Sequence, residues 1–122
     1  MYDRSLVLEQ IAEVEEAIRR IERRFQGVLS PDDFTAGDEG LDRLDAIAMM
    51  LIAIGENIKR IDKTTQGRLL ERSPEIHWPG VKGTRDILAH DYFGIDPEEI
   101  HGICVNDLAP LKRALHKMRE EA

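Results

Sequence analysis

Two long apolar stripes constrain the fold of this chain more than any other feature. One recurs every three or four residues between positions 7 and 25, and the other does so between positions 44 and 61. This spacing places apolar side chains along one face of an α-helix, so we predict helices over about 3–26 and 39–62. Each stripe must be buried against another helix. The stripes consist of Val7, Ile11, Val14, Ile18, Ile21 and Phe25, and of Leu44, Ile47, Leu51, Ile54, Ile58 and Ile61.

Shorter elements are predicted between and beside these helices. The sequence SPDDF at 30–34 favours one helical turn, because a serine precedes proline and two acids. Small residues within 46–55 would let another helix approach the second one closely. Residues 63–82 contain two glycines and two prolines, which indicate a connector with at most a short helix over 68–72. We expect Trp78 to anchor this connector to the core.

The C-terminal third is predicted to be helical as well. A third main helix carries the sequence GTRDILAHDYFG and is expected to end near Gly94. The sequence DPEEI at 96–100 is typical of a helix start, and Pro110 predicts a bend in the last segment. No segment favours a strand. The prediction is an all-α, up-and-down bundle of four to five helices that forms a single domain over 1–122.

Composition narrows the class of protein. Apolar residues make up 42% and charged residues 34%, as in ordinary globular proteins, and the single cysteine, Cys104, excludes an internal disulfide. The longest apolar run, 46–54, is about half the length of a membrane span. No basic leader with an apolar core opens the sequence. We therefore expect a cytoplasmic protein that does not enter membranes.

Charge is unevenly distributed along the chain. The formal net charge is −7, which argues against general nucleic-acid binding. Residues 59–85 nevertheless hold seven basic and three acidic side chains, a net charge of +4, which leaves −11 on the remainder. This basic segment could attract a polyanion locally. It could equally be a solvated helix end followed by a polar loop.

The third helix gathers several polar groups on one face. With residues stepping by about 100°, Arg85, Asp86 and His90 fall within about 140° of one another. Ile87 and Leu88 fall on the opposite side, so we expect both in the core. Asp86 lies four residues before His90, near enough to orient the imidazole.

The polar face suits phosphodiester chemistry. Arginine offers a planar fork of donors to phosphate oxygens, and histidine exchanges protons near neutral pH. RNA carries its own nucleophile, the 2′-hydroxyl, so neither a nucleophilic side chain nor a metal is required. The remaining histidines have no ligand-like spacing, and we expect them to be ordinary surface or edge residues: His77, His101 and His116. A solvated face with pairing along the helix accounts for the same spacing.

The order of motifs resembles one family closely. RDILAHDY at 85–92 has the arrangement Arg-x4-His-x-Tyr, which resembles the signature of HepT-like toxins in the HEPN superfamily of helical ribonucleases. IGENIKRI at 54–61 is similar to the family's second-helix motif. The stretch 73–96 is similar to its proline–tryptophan connector and catalytic helix, and DLAPLKRAL at 107–115 to its C-terminal helix. These segments cover most of the chain in order.

The resemblance implies a toxin that cleaves RNA without a metal or other cofactor. In that family two copies form a homodimer whose motifs face one cleft, and a minimal nucleotidyltransferase antitoxin adds adenylate to the motif tyrosine. By position, Arg85 would stabilise the scissile phosphate and His90 would act as general acid and base. Tyr92 would be the modified residue, since an added adenylate would bring bulk and negative charge to the cleft. Supporting roles fall to Asp86 and Glu56, and RNA contacts to Lys82, Arg68 and Arg72.

Two other interpretations stay open. The chain could be a catalytically weak bundle that binds nucleotide or protein as the partner of the nucleotidyltransferase. It could also be a structural dimerisation bundle, although that would leave the polar face without a purpose. Salt-sensitive RNA affinity would favour the ribonuclease, whereas tight partner binding without RNA affinity would favour the partner interpretation.

Overall fold

The computed structural model describes residues 2–122, which fold into helices joined by short links. The described residues contain no strand, and the predicted all-α helical bundle is confirmed. Four helices are longer than ten residues, and two are short. Their bounds are α1 Arg4–Phe25, α2 Asp38–Thr65, α3 Arg68–Glu71, α4 Trp78–His90, α5 Pro97–Gly102 and α6 Leu108–Glu121, with 3₁₀ turns at Pro31–Phe34 and Tyr92–Gly94.

The predicted stripes form the centre of the molecule. Helices α1 and α2 pack against each other, and every stripe residue is buried except Phe25, which packs against the core while half exposed. The two helices are antiparallel, because the end of α1 meets the start of α2, where Nη1 of Arg43 donates to the carbonyl of Gln26 over 2.8 Å. The side chain of Asp3 caps α1 by accepting from the backbone of Leu6.

Helix α6 covers the other side of α1. Two ion pairs join them in antiparallel register, Lys112 with Glu22 at 3.2 Å and Arg119 with Glu15. The bend predicted at Pro110 is wrong in position. A π-helical segment at Ile103–Asp107 makes the irregularity, and Pro110 follows it within the same continuous helical run. The widened turn thus lies next to a residue that has no backbone N–H to donate.

The connector between α2 and α4 is fixed by Trp78, as predicted. Its side chain is buried, and Nε1 donates to the carbonyl oxygens of Leu70 and Ser73, each at 3.0 Å. The connector ends earlier than predicted, because α4 begins at Trp78 rather than after Lys82. Proline at the second position of α4 explains this start, since its fixed φ favours the first helical turn.

Helix α4 packs against α2 and runs antiparallel to it. At Gly55 the approach is close, since a Cβ there would collide with the Cβ of Arg85 and lie 3.2 Å from the carbonyl oxygen of Val81. The small residues predicted to permit such an approach therefore do so at Gly55. No helix among residues 2–122 combines the length and apolarity needed to cross a membrane.

The predicted end of α4 near Gly94 is wrong. The helix stops at His90, because Asp91 leaves the helical conformation with φ −139° and ψ 79°. The Asp91 side chain then accepts from the backbone N–H of Gly94 at 3.1 Å and closes a separate 3₁₀ turn. Tyr92 therefore does not lie on the helix that carries Arg85 and His90.

Candidate functional site

Arg85 lies between two carboxylates. Its Nε is buried and lies 2.8 Å from Oε2 of Glu56 on α2. The two groups form an ion pair, but the N–H does not point at the oxygen well enough for a hydrogen bond. Its Nη1 donates to Oδ1 of Asp86 at 3.2 Å. The side chain of Arg85 is 34% exposed, so the guanidinium is oriented by protein groups and still reaches solvent.

Asp86 binds a second cation. Nζ of Lys59, on α2, donates to the same Oδ1 at 2.6 Å. The hydrogen bond from Lys59, and after it the one from Arg85, lowers the pKa of Asp86. The carboxylate is therefore anionic near neutral pH, and it links α4 to α2 beside Arg85.

His90 lies at the end of α4 and is exposed. Within residues 2–122 no hydrogen bond or ion pair joins it to Asp86, whose partners are Lys59 and Arg85. The expected orientation of the imidazole by Asp86 is therefore not seen. Arg85, Asp86, Ala89 and His90 do line one shallow, open depression, so the polar groups predicted to share a face do share it.

The predicted burial of Ile87 is wrong. Leu88 is 4% exposed and packs in the core, as expected, but Ile87 is 65% exposed. Helix α4 is covered by α2 along one side only, so the angular range that faces the core is narrower than the sequence pattern indicates. On the helix Ile87 lies about 60° from His90, and it therefore adds an apolar group beside the depression.

Tyr92 is separated from Arg85. Its hydroxyl donates to Oδ1 of Asp45 on α2. Asp45 precedes Glu56 by eleven positions, which is about 16 Å along a helix. Partial burial, together with the hydrogen bond to Asp45, raises the pKa of Tyr92 to about 12. Tyr92 would return to the edge of Arg85 only on a helix continuous to residue 92, and α4 ends at His90.

The three basic residues expected to contact RNA lie outside the depression. Lys82 forms an ion pair with Asp62, and Nη1 of Arg72 lies 3.5 Å from Glu121 in α6. Arg68 is exposed on α3, a helix that packs against the C-terminal part of the bundle. None of them lines the surface formed by Arg85 and His90, and their contact with RNA stays a prediction.

The other histidines and the cysteine lie outside the depression that Arg85 and His90 line. His77 and His116 are exposed, as predicted, whereas the ring of His101 packs on Phe25 with centroids 5.3 Å apart. Cys104 is half-buried, and burial raises the pKa of its thiol to about 12. In the described part of the chain, no group of three or more histidine, cysteine, aspartate or glutamate side chains could hold a metal ion.

Sequence reasoning missed two neighbours of the site. The sequence pattern places Lys59 only within the basic segment, although its position three residues after Glu56 puts both on one face of α2. Asp45 carries no sequence signal that links it to Tyr92, since 47 positions separate them. Only the packing of α4 and its following turn on α2 brings these groups together.

A family comparison assigns the chain to a known group of proteins. The family model described as Ribonuclease HepT-like matches residues 14–118, which include α2 and α4. The chain belongs to the HepT-like family. The HepT-like resemblance drawn from the motifs at 54–61 and 85–92 is therefore confirmed.

A curated relative of this HepT-like chain comes from Methanocaldococcus jannaschii and is named "Putative RNase MJ0127". It is 34% identical over 61 residues, which are 50% of this chain and 47% of the relative. The match thus spans about half the length of the relative. No solved structure matches the chain.

Proposed function

We propose that this HepT-like chain is the toxin of a toxin–antitoxin module and acts as a metal-independent endoribonuclease. The observation that carries the proposal is the shared depression of Arg85 and His90, with the guanidinium held by Glu56 and Asp86. The family description and the name of the relative support the class of reaction.

The proposed chemistry uses the 2′-hydroxyl of RNA as the nucleophile. Its oxygen forms a bond to phosphorus while the bond to the 5′ oxygen breaks, and the product is a cyclic phosphate. An imidazole accepts the proton of the 2′-hydroxyl, and a second protonated imidazole donates to the leaving oxygen. Arg85 stabilises the charge that grows on the non-bridging oxygens, because its parallel donors match two of them. His90 supplies the imidazole.

A homodimer would provide both imidazoles in one cleft. Ile87 and Phe93 are 65% and 99% exposed, and they lie on either side of His90 in the sequence. Met49 on α2 is 62% exposed, one helical turn from the Asp45 that binds Tyr92. Exposed apolar side chains of this size are typical of interaction surfaces. We propose that a second copy covers them, so that two Arg85–His90 pairs face the same RNA.

Modification of Tyr92 is the proposed means of restraint, and a minimal nucleotidyltransferase is the proposed antitoxin. Adenylate transfer from ATP forms a bond between the Tyr92 oxygen and the α-phosphorus while pyrophosphate leaves. A tyrosine hydroxyl is protonated at neutral pH, and the raised pKa of Tyr92 makes its proton harder to remove, so the transfer requires a base. Asp45 accepts the hydroxyl hydrogen bond and is placed to take the proton. Adenylate on Tyr92 would break this contact and add a negatively charged phosphate to the turn that follows α4.

The test is cleavage of a mixed RNA substrate in EDTA by the purified dimer and its variants. We expect cleavage by the unmodified protein and a loss of about 100-fold or more in Arg85→Ala and His90→Ala, the scale of removing a charge-stabilising or proton-transferring group. Arg113→Ala and His116→Ala are matched controls on the exposed face of α6 and should keep activity. Intact mass in the same preparation identifies adenylate, which Tyr92→Phe should not accept.

A catalytically weak partner of the nucleotidyltransferase is the second candidate. It is favoured by the balance of charge at the depression, where Lys59 and Arg85 are paired with Asp86 and Glu56. Absence of cleavage by an unmodified dimer across varied RNAs, together with tight binding to the nucleotidyltransferase, would establish this function instead.

A further inference from the structure

Two cations share one carboxylate oxygen beside the proposed catalytic arginine. Oδ1 of Asp86 accepts from Nζ of Lys59 at 2.6 Å and from Nη1 of Arg85 at 3.2 Å. Both side chains of the Lys59–Asp86 pair are partly exposed, at 36% and 56%. The shorter of the two bonds is the one from the lysine.

Asp86 and a phosphate of RNA would compete for the same N–H donors of Arg85. Guanidinium has five N–H donors, and here Nε faces Glu56 while Nη1 already contacts Asp86. Recognition of a phosphate needs two parallel donors on one edge of the group. Without Lys59, the full charge of Asp86 would fall on Arg85, and a tight pair between neighbouring side chains would occupy donors that phosphate requires.

We propose that Lys59 is a positioning residue, which shares Oδ1 of Asp86 with Arg85 and limits the contact of Arg85 to Nη1, so that the guanidinium keeps an open edge for a phosphate of RNA. The inference rests on the proposed ribonuclease function, because it assigns the role of Arg85 at that site. Lys59 itself does not contact the substrate. Its ammonium is hydrogen-bonded to Asp86, and it affects the donors of Arg85 only through that carboxylate.

The test compares Lys59→Met, Asp86→Asn and the double variant in RNA cleavage. Lys59→Met should lower kcat/KM by about tenfold, because it leaves a charged competitor on Arg85. Adding Asp86→Asn removes that competitor, so the double variant should recover to within about threefold of Asp86→Asn alone. Lys112→Met is the matched control, since it also breaks an interhelical lysine–carboxylate pair, with Glu22, on another face.

The rescue separates positioning from two other roles. If Lys59 bound phosphate directly, the double variant would be no better than Lys59→Met, and the salt dependence of RNA binding would weaken in both. If the ion pair were merely structural, the double variant would also stay impaired, because it too lacks the pair. Either result overturns the proposal.

A second measurement does not depend on turnover. Nitrogen-15 spectra of the arginine side chain report how freely the guanidinium of Arg85 rotates. We expect slower rotation in Lys59→Met than in wild type, and recovery in the double variant. Unchanged Arg85 signals in Lys59→Met would overturn the inference. Failure of the wild-type protein to cleave RNA would instead refute the proposed function. The Arg85 spectra would still show whether Lys59 controls the contact between Asp86 and Arg85.

Discussion

At the residue scale, Tyr92 shows how a local break redirects a functional group. Asp91 ends α4, and the following turn carries the phenol to Asp45 on α2 instead of along the face of Arg85. The hydroxyl is therefore a donor in a contact between elements. A group transferred to this oxygen must displace that contact, so modification would act on the packing of the turn as well as on the charge of the cleft.

The first residue-scale prediction concerns the titration of Tyr92. Asp45→Asn should lower the pKa of Tyr92 from about 12, while leaving it above the ordinary value, because partial burial is the larger cause of the shift. Absorbance titration in a Tyr2→Phe background measures it, since the chain has two tyrosines. An unchanged pKa of Tyr92 in Asp45→Asn would show that the hydrogen bond to Asp45 does not stabilise the protonated hydroxyl.

The same shift predicts a pH dependence of stability. The folded state binds the phenolic proton more tightly than the unfolded chain does, with a pKa of about 12 against 10. Its contribution is fully present below about pH 10 and is lost as pH rises towards 12. Asp45→Asn should therefore narrow the difference between unfolding midpoints measured at neutral and alkaline pH.

Residue patterns predicted the occupants of the polar face better than their partners. The 3.6-residue period is sufficient to place Arg85, Asp86 and His90 together, because they lie on one helix. The period could not reveal that Lys59 forms an ion pair with Asp86, because this pair depends on how α2 and α4 are aligned. Nor could it show that Ile87 is exposed, since angular position on a helix does not say how many neighbours cover it.

At the element scale, the contact between α2 and α4 positions the site. Gly55 allows the backbone of α4 to lie directly against α2, and this contact places Arg85 within reach of Glu56. The ion pairs of Lys59 with Asp86 and of Lys82 with Asp62 join the same two helices. The geometry of the depression is thus a property of helix packing.

The element-scale prediction is that Gly55→Ala destabilises the protein and impairs the site. Overpacking against the Val81 carbonyl and the Arg85 side chain should cost about 1–3 kcal/mol, partly offset by the ~1 kcal/mol helix preference of alanine over glycine. Thermal unfolding and the Arg85 spectra measure both effects. Gly83→Ala is the matched control, because its Cβ would meet no atom within 4 Å, and it should be stabilising.

The starts of α1 and α5 were predicted from sequence more accurately than either end of α4. Asp3 and Asp96 cap α1 and α5, as expected of acids that precede a helical segment. The end of α4 was placed at Gly94, since glycine is a common stop, but Asp91 ends the helix through its own side chain. The π segment before α6 carries no sequence signal as strong as Pro110, and the bend was therefore assigned to the proline.

At the scale of the whole molecule, the bundle leaves an apolar surface on the side of its polar depression. Ile87 and Phe93 are exposed there, while the net charge of the chain is −7. A second copy that covers these side chains would also exclude water from the depression. The single-domain organisation over 1–122 stays a prediction.

The prediction at this scale is that Ile87→Asp and Phe93→Asp convert the proposed dimer to monomer and abolish the proposed cleavage together. A buried aspartate would be left unpaired in the interface. Sedimentation over a range of concentrations measures the association, and the unfolding midpoint should lose its concentration dependence. Leu29→Asp, at an 88% exposed leucine after α1, should leave the dimer intact. Variants that stay dimeric would place the interface elsewhere.

The π-helical segment at Ile103–Asp107 has a practical consequence, because it contains the one cysteine of the chain. A half-buried thiol with a pKa near 12 is almost entirely protonated at neutral pH, and thiols react as thiolates. Alkylation of Cys104 should therefore be slow, and its rate should follow how often this segment opens. Alkylation of Cys104 followed by mass spectrometry is therefore expected to report local unfolding between α5 and α6 without any label being introduced.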